Sequence, residues 1–124
     1  MRKKTKQSTT TQYSLTDLVI DSILDKKGEE VVHLDLTALN DAVTDHFIIC
    51  HADSTTQVMA IGNHIVDNVL EKADISPFGK EGFQNAEWII IDYSDVVVHV
   101  FYKEKREFYQ LEELWHDAAI KKVS

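Results

Sequence analysis

An α/β (α+β) fold, with helices packed on a mixed β-sheet, is predicted by three features of the chain. Two segments carry apolar residues at helical spacing behind a serine N-cap. Four short runs are rich in β-branched residues, and two of these flank a three-residue polar turn. The order read along the chain is α-β-β-α-β-β-α, with room for a short extra strand near Phe78.

Ser14 followed by Asp17 reads as an N-cap with an acid in the first turn, where the helix dipole favours negative charge. Leu15, Leu18, Val19 and Ile23 then recur at helical spacing until Gly28 supplies a stop. Residues 30–36 form the first predicted strand, residues 37–45 a polar loop and residues 46–51 a second strand. Ser54 starts a longer helix with Val58, Ile61, Ile65 and Val69 on its apolar face, ending near residues 74–77. A glycine-bearing loop, 78–86, leads into the hairpin formed by residues 88–92 and 96–101 around Tyr93-Ser94-Asp95. The last element reads as one helix from about Glu104, with Phe108, Leu111, Trp115 and Ala118 inward and Arg106 and Tyr109 pointing elsewhere.

The hairpin is apolar on both faces. Val96, Val98 and Val100 share one face, Val97, His99 and Phe101 the other, and Trp88, Ile90 and Asp92 lie together on the neighbouring strand. Either the sheet is covered on both sides, or one side is a patch that a partner covers.

With 124 residues, 44% apolar and 27% charged, the chain suits one hydrophobic core and not a disordered polymer. Residues 1–12 are expected to be a basic flexible tail and residues 13–124 a single domain. The tail carries four bases and no acid, so a net charge of −8 leaves −12 on the remainder, nine bases against 21 acids. Such a body repels a phosphate backbone and steers toward a basic partner; the tail reads as a solvated terminus before an RNA tether. A lone cysteine, no long apolar run and no signal-like start favour the cytoplasm.

No chemistry-bearing constellation is evident. His46 and Cys50 fall on one strand face and His51 on the other, without C-x-x-C or H-E-x-x-H spacing, and Cys50 reads as core. Asp41, Asp45, Asp53, Asp92 and Asp95 flank strands and turns, where aspartate commonly bonds its own backbone. No phosphate-cradling glycine loop occurs. Catalytic residues, metal and cofactor are therefore all expected to be none. Trp88, Tyr109 and Arg106, in contrast, are the residue types that carry most interface energy.

Thr44-Asp45, Ser54 with Gln57-Val58, Glu81-Gly82, Glu87-Trp88 and Asp92-Tyr93 stand in order along the chain. Residues 95–101, Arg106-Glu107-Phe108-Tyr109, Leu111-Glu112 and Leu114-Trp115 continue the series. In that order and spacing the chain resembles the ribosomal silencing factor (Iojap) family over roughly residues 15–115. It departs from the family pattern at His51-Ala52-Asp53, Thr56, Ser94 and His116, which concerns local loops.

The resemblance implies a nucleotidyltransferase-like fold without that activity, and the Gly-Ser and paired Asp-x-Asp signature of active members is missing here. It implies binding to the large ribosomal subunit through ribosomal protein L-fourteen, blocked subunit joining and lowered translation under nutrient limitation. It also implies a homodimer in isolation, and an assembly role in some relatives. The expected contact region is Trp88, Asp92, Tyr93, Asp95, His99, Arg106, Tyr109 and Glu112. Two rivals are a metal-dependent nucleotidyltransferase-like enzyme using Asp45, Asp53 or Asp92, and an RNA-binding module acting through the tail.

Overall fold

The first helix, α1 (Leu15–Asp25), begins where Ser14 Oγ accepts the Asp17 backbone N–H at 3.1 Å. Strands β1 (Glu29–Asp35) and β2 (His46–Ala52) follow. The long helix α2 (Thr55–Ala73) is capped the same way, with Ser54 Oγ accepting from Gln57 N–H at 3.1 Å. It ends on Asp74 in the left-handed conformation. A three-residue strand, β3 (Gly79–Glu81), occupies the place left open near Phe78, and β4 (Trp88–Asp92) and β5 (Val96–Tyr102) form the expected antiparallel hairpin. This computed structural model describes residues 14–39, 42, 44–115 and 118–123; the basic tail and Asp41 lie outside the described residues.

The end of the chain differs from the reading of one helix. Helix α3 (Lys103–Tyr109) stops at Gln110, whose φ of 47° is left-handed, and a short α4 (Leu111–Leu114) leaves in a new direction. A strand that periodicity does not announce, β6 (Ala119–Lys122), then pairs antiparallel with β1. The break rotates the helical face. Arg106 turns inward and is 8% exposed, while Phe108, expected in the core, is 77% exposed. Leu111 is buried as expected.

The six strands run in the order β3-β4-β5-β2-β1-β6, with β2 and β5 parallel and the other pairs antiparallel. On one face, α1 and α2 pack Val19, Ile23, Val58, Ile61, Ile65 and Val69 against Ile48, Ile89, Ile91, Val98 and Val100. Burying each such side chain contributes about 1.5–3 kcal/mol, so this face anchors the sheet. The opposite face has a smaller core of Val32, Leu34, Leu36, Phe47, Ile49 and Phe101 around Leu111. Trp88, Val97 and Trp115 pack half-buried at its margin. Along β4, the fully buried Ile89 and Ile91 alternate with half-exposed Trp88, Ile90 and Asp92. The second face is thus closed over β1 and β2 and open over β4.

Candidate protein-docking face

The open part of the sheet is an aromatic surface. Trp88 pairs across the hairpin with Phe101, so strand register puts both rings on this face, stacked 4.9 Å apart at 25°. Tyr109 reaches over from α3 to within 4.7 Å of the Trp88 ring, and Phe108 meets Tyr109 edge-on at 5.1 Å. Exposure rises outward along this chain, with Tyr109 at 46% and Phe108 at 77%. Rings held in this way lose little side-chain entropy when a partner covers them.

His99 lies beneath the cluster. Trp88 Nε1–H donates to His99 Nδ1 at 3.1 Å, and Phe47 sits edge-on to the imidazole at 4.8 Å. Burial pushes the His99 pKa down to about 4, so the ring is neutral at ordinary pH. Because an indole only donates, Nδ1 must accept and the ring proton lies on Nε2, which has no partner among the described residues.

The hairpin turn supplies an acidic edge. Asp92 Oδ1 accepts Ser94 N–H at 2.7 Å, which holds Ser94 at a φ of 76° without a glycine. Asp95 is exposed, and its carbonyl accepts the backbone N–H groups of Asp45 and His46 at 3.2 and 3.0 Å. Phe78 donates its backbone N–H to the Asp92 carbonyl at 2.8 Å and exposes its ring. With Asp92, Ser94 and Val97 it lines a shallow groove. Tyr93 turns the other way into the helix-side core, where burial pushes its hydroxyl up to about 12.

Arg106 braces the surface from below. Its Nη1 donates to the Glu30 carbonyl at 2.8 Å and to His51 Nδ1 at 3.0 Å, and its Nη2 donates to Glu112 Oε2 at 2.7 Å. One guanidinium therefore ties α3 to β1, β2 and α4, a task suited to its rigid fork of donors.

Of the eight nominated residues, Trp88, Asp92, Asp95, Tyr109 and Glu112 reach the surface, while Tyr93, His99 and Arg106 are buried. Trp88, His99 and Tyr109 form one cluster, Arg106 and Glu112 a second, and Asp92, Tyr93 and Asp95 surround the turn. Sequence reasoning missed Phe108 and Phe78. Phe108 fits the apolar stripe of an unbroken helix, and Phe78 belongs to no periodic run, a signal in itself for an aromatic beside Pro77.

Asp45 and Asp53, two of the acids that the enzyme reading would use, stand apart. Asp45 precedes β2 and Asp53 follows it, so a strand of seven residues separates them, on the order of 20 Å. Among the described residues, no three His, Cys, Asp or Glu side chains are grouped so as to hold a metal. Cys50 is fully buried and its thiol is pushed up to about 12, which suppresses the reactive thiolate. Among the described residues no helix is long and apolar enough to cross a membrane.

Comparison with known proteins attaches this architecture to a lineage. The family described as "Ribosomal silencing factor during starvation" matches residues 8–124. The chain belongs to this family. One relative, the ribosomal silencing factor RsfS of Halalkalibacterium halodurans, is 42% identical over 104 residues, covering 84% of this chain and 87% of its own. A crystal structure from Chromobacterium violaceum superposes with a TM-score of 0.77 at 33% identity, covering 82% of this chain and 83% of that one. A more distant relative is the mouse protein named for mitochondrial assembly of the ribosomal large subunit. It is 34% identical over 74 residues, covering 58% of this chain and 32% of its own. Ribosomal silencing family membership thus accounts for the mixed sheet and its flanking helices.

Proposed function

We propose that this chain is a cytoplasmic ribosomal silencing factor. It docks on the large ribosomal subunit through ribosomal protein L-fourteen, prevents the small subunit from joining and lowers translation when nutrients are scarce. The observation that carries this reading is the aromatic surface of Trp88, Tyr109 and Phe108 on a sheet face that the chain's own helices leave open. Aromatic anchors of this kind dominate binding energy when they enter a desolvated pocket. Asp92 and Asp95 at the hairpin turn, at the other end of β4 from Trp88, and the −12 charge of residues 13–124 suit a basic ribosomal protein and speed encounter with it.

The same face serves a second copy of the chain when no subunit is present, which makes a homodimer in isolation. The reading assigns no catalysis, metal or cofactor, in keeping with the separation of Asp45 from Asp53 on either end of β2. The name of the mouse relative supports a second reading, assistance in large-subunit assembly through the same surface.

The test is co-sedimentation with isolated large subunits, comparing the chain with Trp88→Ala and Tyr109→Ala. Each variant is expected to lose roughly tenfold or more in affinity, about 1.4 kcal/mol. Unchanged affinity in two folded variants would remove the face from consideration.

A further inference from the structure

His51 and Arg106 meet in a way that only one protonation state permits. Arg106 Nη1 donates to His51 Nδ1 at 3.0 Å, so Nδ1 must carry a lone pair and the ring proton must lie on Nε2. On that side Glu29 Oε1 stands 3.4 Å away and Glu30 Oε2 3.7 Å away, both from β1. From α3, Arg106 and Lys103 face the ring, and Glu107, Glu112 and Glu113 line the same pocket, with Glu112 bonded to Arg106. Strand β5 contributes Phe101, which lies beside His51 in register. The ring is thus poised between a cation that needs the lone pair on Nδ1 and two carboxylates, beside the Nε2–H, that would stabilise the charge brought by a second proton on Nδ1.

Adding that proton removes the acceptor at Nδ1 and sets an imidazolium against a guanidinium. The two glutamates of β1 stabilise the imidazolium, and Arg106 keeps its bonds to the Glu30 carbonyl and to Glu112 Oε2 while losing its tie to β2. Helix α3 is short, at seven residues, has no side-chain N-cap bond and exposes Phe108 and Tyr109. Its other ties are the Arg106 bonds to Glu30 and Glu112, an ion pair of Lys105 with Glu87 at 3.9 Å and the Tyr109 ring on Trp88. Its C-terminal end is also the piece that lays Tyr109 over Trp88. A change at Arg106 is therefore transmitted within one turn to the aromatic surface.

We propose that protonation of His51 breaks its bond with Arg106, loosens α3 from β2, and unseats Tyr109 from Trp88, so that acidification switches the docking face off. Burial and the neighbouring guanidinium hold the His51 pKa below its ordinary 6.5, which keeps the face assembled at neutral pH. The consequence for binding rests on the docking reading above, whereas the switch is a property of the isolated chain.

Two experiments separate these. In the isolated chain, NMR follows the His51 ring and the amides of residues 103–112 from about pH 7.5 to about pH 5.5. The amides are expected to shift with the same midpoint as the ring, and to stay flat in His51→Gln, whose amide carbonyl still accepts from Arg106. Affinity for large subunits over the same range is expected to fall about fivefold or more in the unaltered chain and within about twofold in His51→Gln. Flat amides would overturn the proposal, whether His51 titrates in this range or stays neutral throughout it, as would an identical pH response in His51→Gln. Absence of subunit binding at every pH would defeat the docking reading, and the isolated-chain titration would still decide the switch. That titration needs only the unaltered chain, so it also decides if His51→Gln does not fold.

Discussion

Trp88 and His99 lie on neighbouring strands and share one hydrogen bond, Nε1–H to Nδ1 across 3.1 Å, beneath the exposed aromatic surface. The bond requires a neutral imidazole, and burial enforces one by pushing the His99 pKa from 6.5 to about 4. The ring that anchors the proposed interface is therefore positioned by a group that must not be charged.

Acid sensitivity follows with a definite sign. As pH falls, the unfolded chain protonates His99 near its ordinary 6.5, whereas the folded chain does so only near 4. Stability is full above the first value and declines until the second, by up to about 3 kcal/mol. His33 and His51 are also lowered by burial and add to the decline. Urea unfolding at several pH values is expected to show a shallower acid slope in His99→Gln than in the unaltered chain. Equal slopes would contradict this account of the pair.

Arg106 has the geometry of a brace, with its guanidinium buried and bonded to Glu30, His51 and Glu112. Its removal leaves His51 Nδ1 and Glu112 without their donor in a largely buried setting. Arg106→Ala is expected to destabilise the fold by about 2–4 kcal/mol, read as a lowered midpoint in thermal or urea unfolding. Loss of subunit binding with undiminished stability would instead mark Arg106 as a direct contact.

Gly82 has a φ of 84°, and a Cβ added there would overlap the Trp88 carbonyl. Gly82→Ala therefore strains the loop and displaces the backbone that carries the indole. A loss of about 1–3 kcal/mol in unfolding free energy is expected, together with weaker subunit binding. An unaltered unfolding midpoint would contradict the assigned geometry.

Phe108→Ala separates binding from folding. The ring is 77% exposed, so stability is expected to change by no more than about 0.5 kcal/mol. Affinity for large subunits is expected to fall measurably in the same sample. Destabilisation above that bound would return Phe108 to the core, where the unbroken helical stripe placed it.

Local signals carried α1, α2 and the hairpin. Ser14 and Ser54 cap their helices through their own hydroxyls, and the valine and isoleucine runs pair as read. The end of the chain was not legible because its break has no sequence mark. Gln110 adopts a conformation for which glycine or asparagine is the usual sign, and β6 exists through pairing with the distant β1. Arg106 faced inward for the same reason: three acceptors from β1, β2 and α4 compensate its charge, and none adjoins it in sequence. Alternation did place Trp88, Ile90 and Asp92 on one face. Which face stays open depends on where α3 and α4 settle, beyond the reach of a period-two pattern.

The most direct test of the central claim is a subunit-joining assay. Large subunits are preincubated with the chain or with Trp88→Ala, small subunits are added, and the joined fraction is read by sedimentation. The unaltered chain is expected to keep the subunits apart, while Trp88→Ala is expected to let them join. Joining that proceeds undiminished with the unaltered chain bound at full occupancy would contradict silencing and leave the assembly role as the reading to pursue.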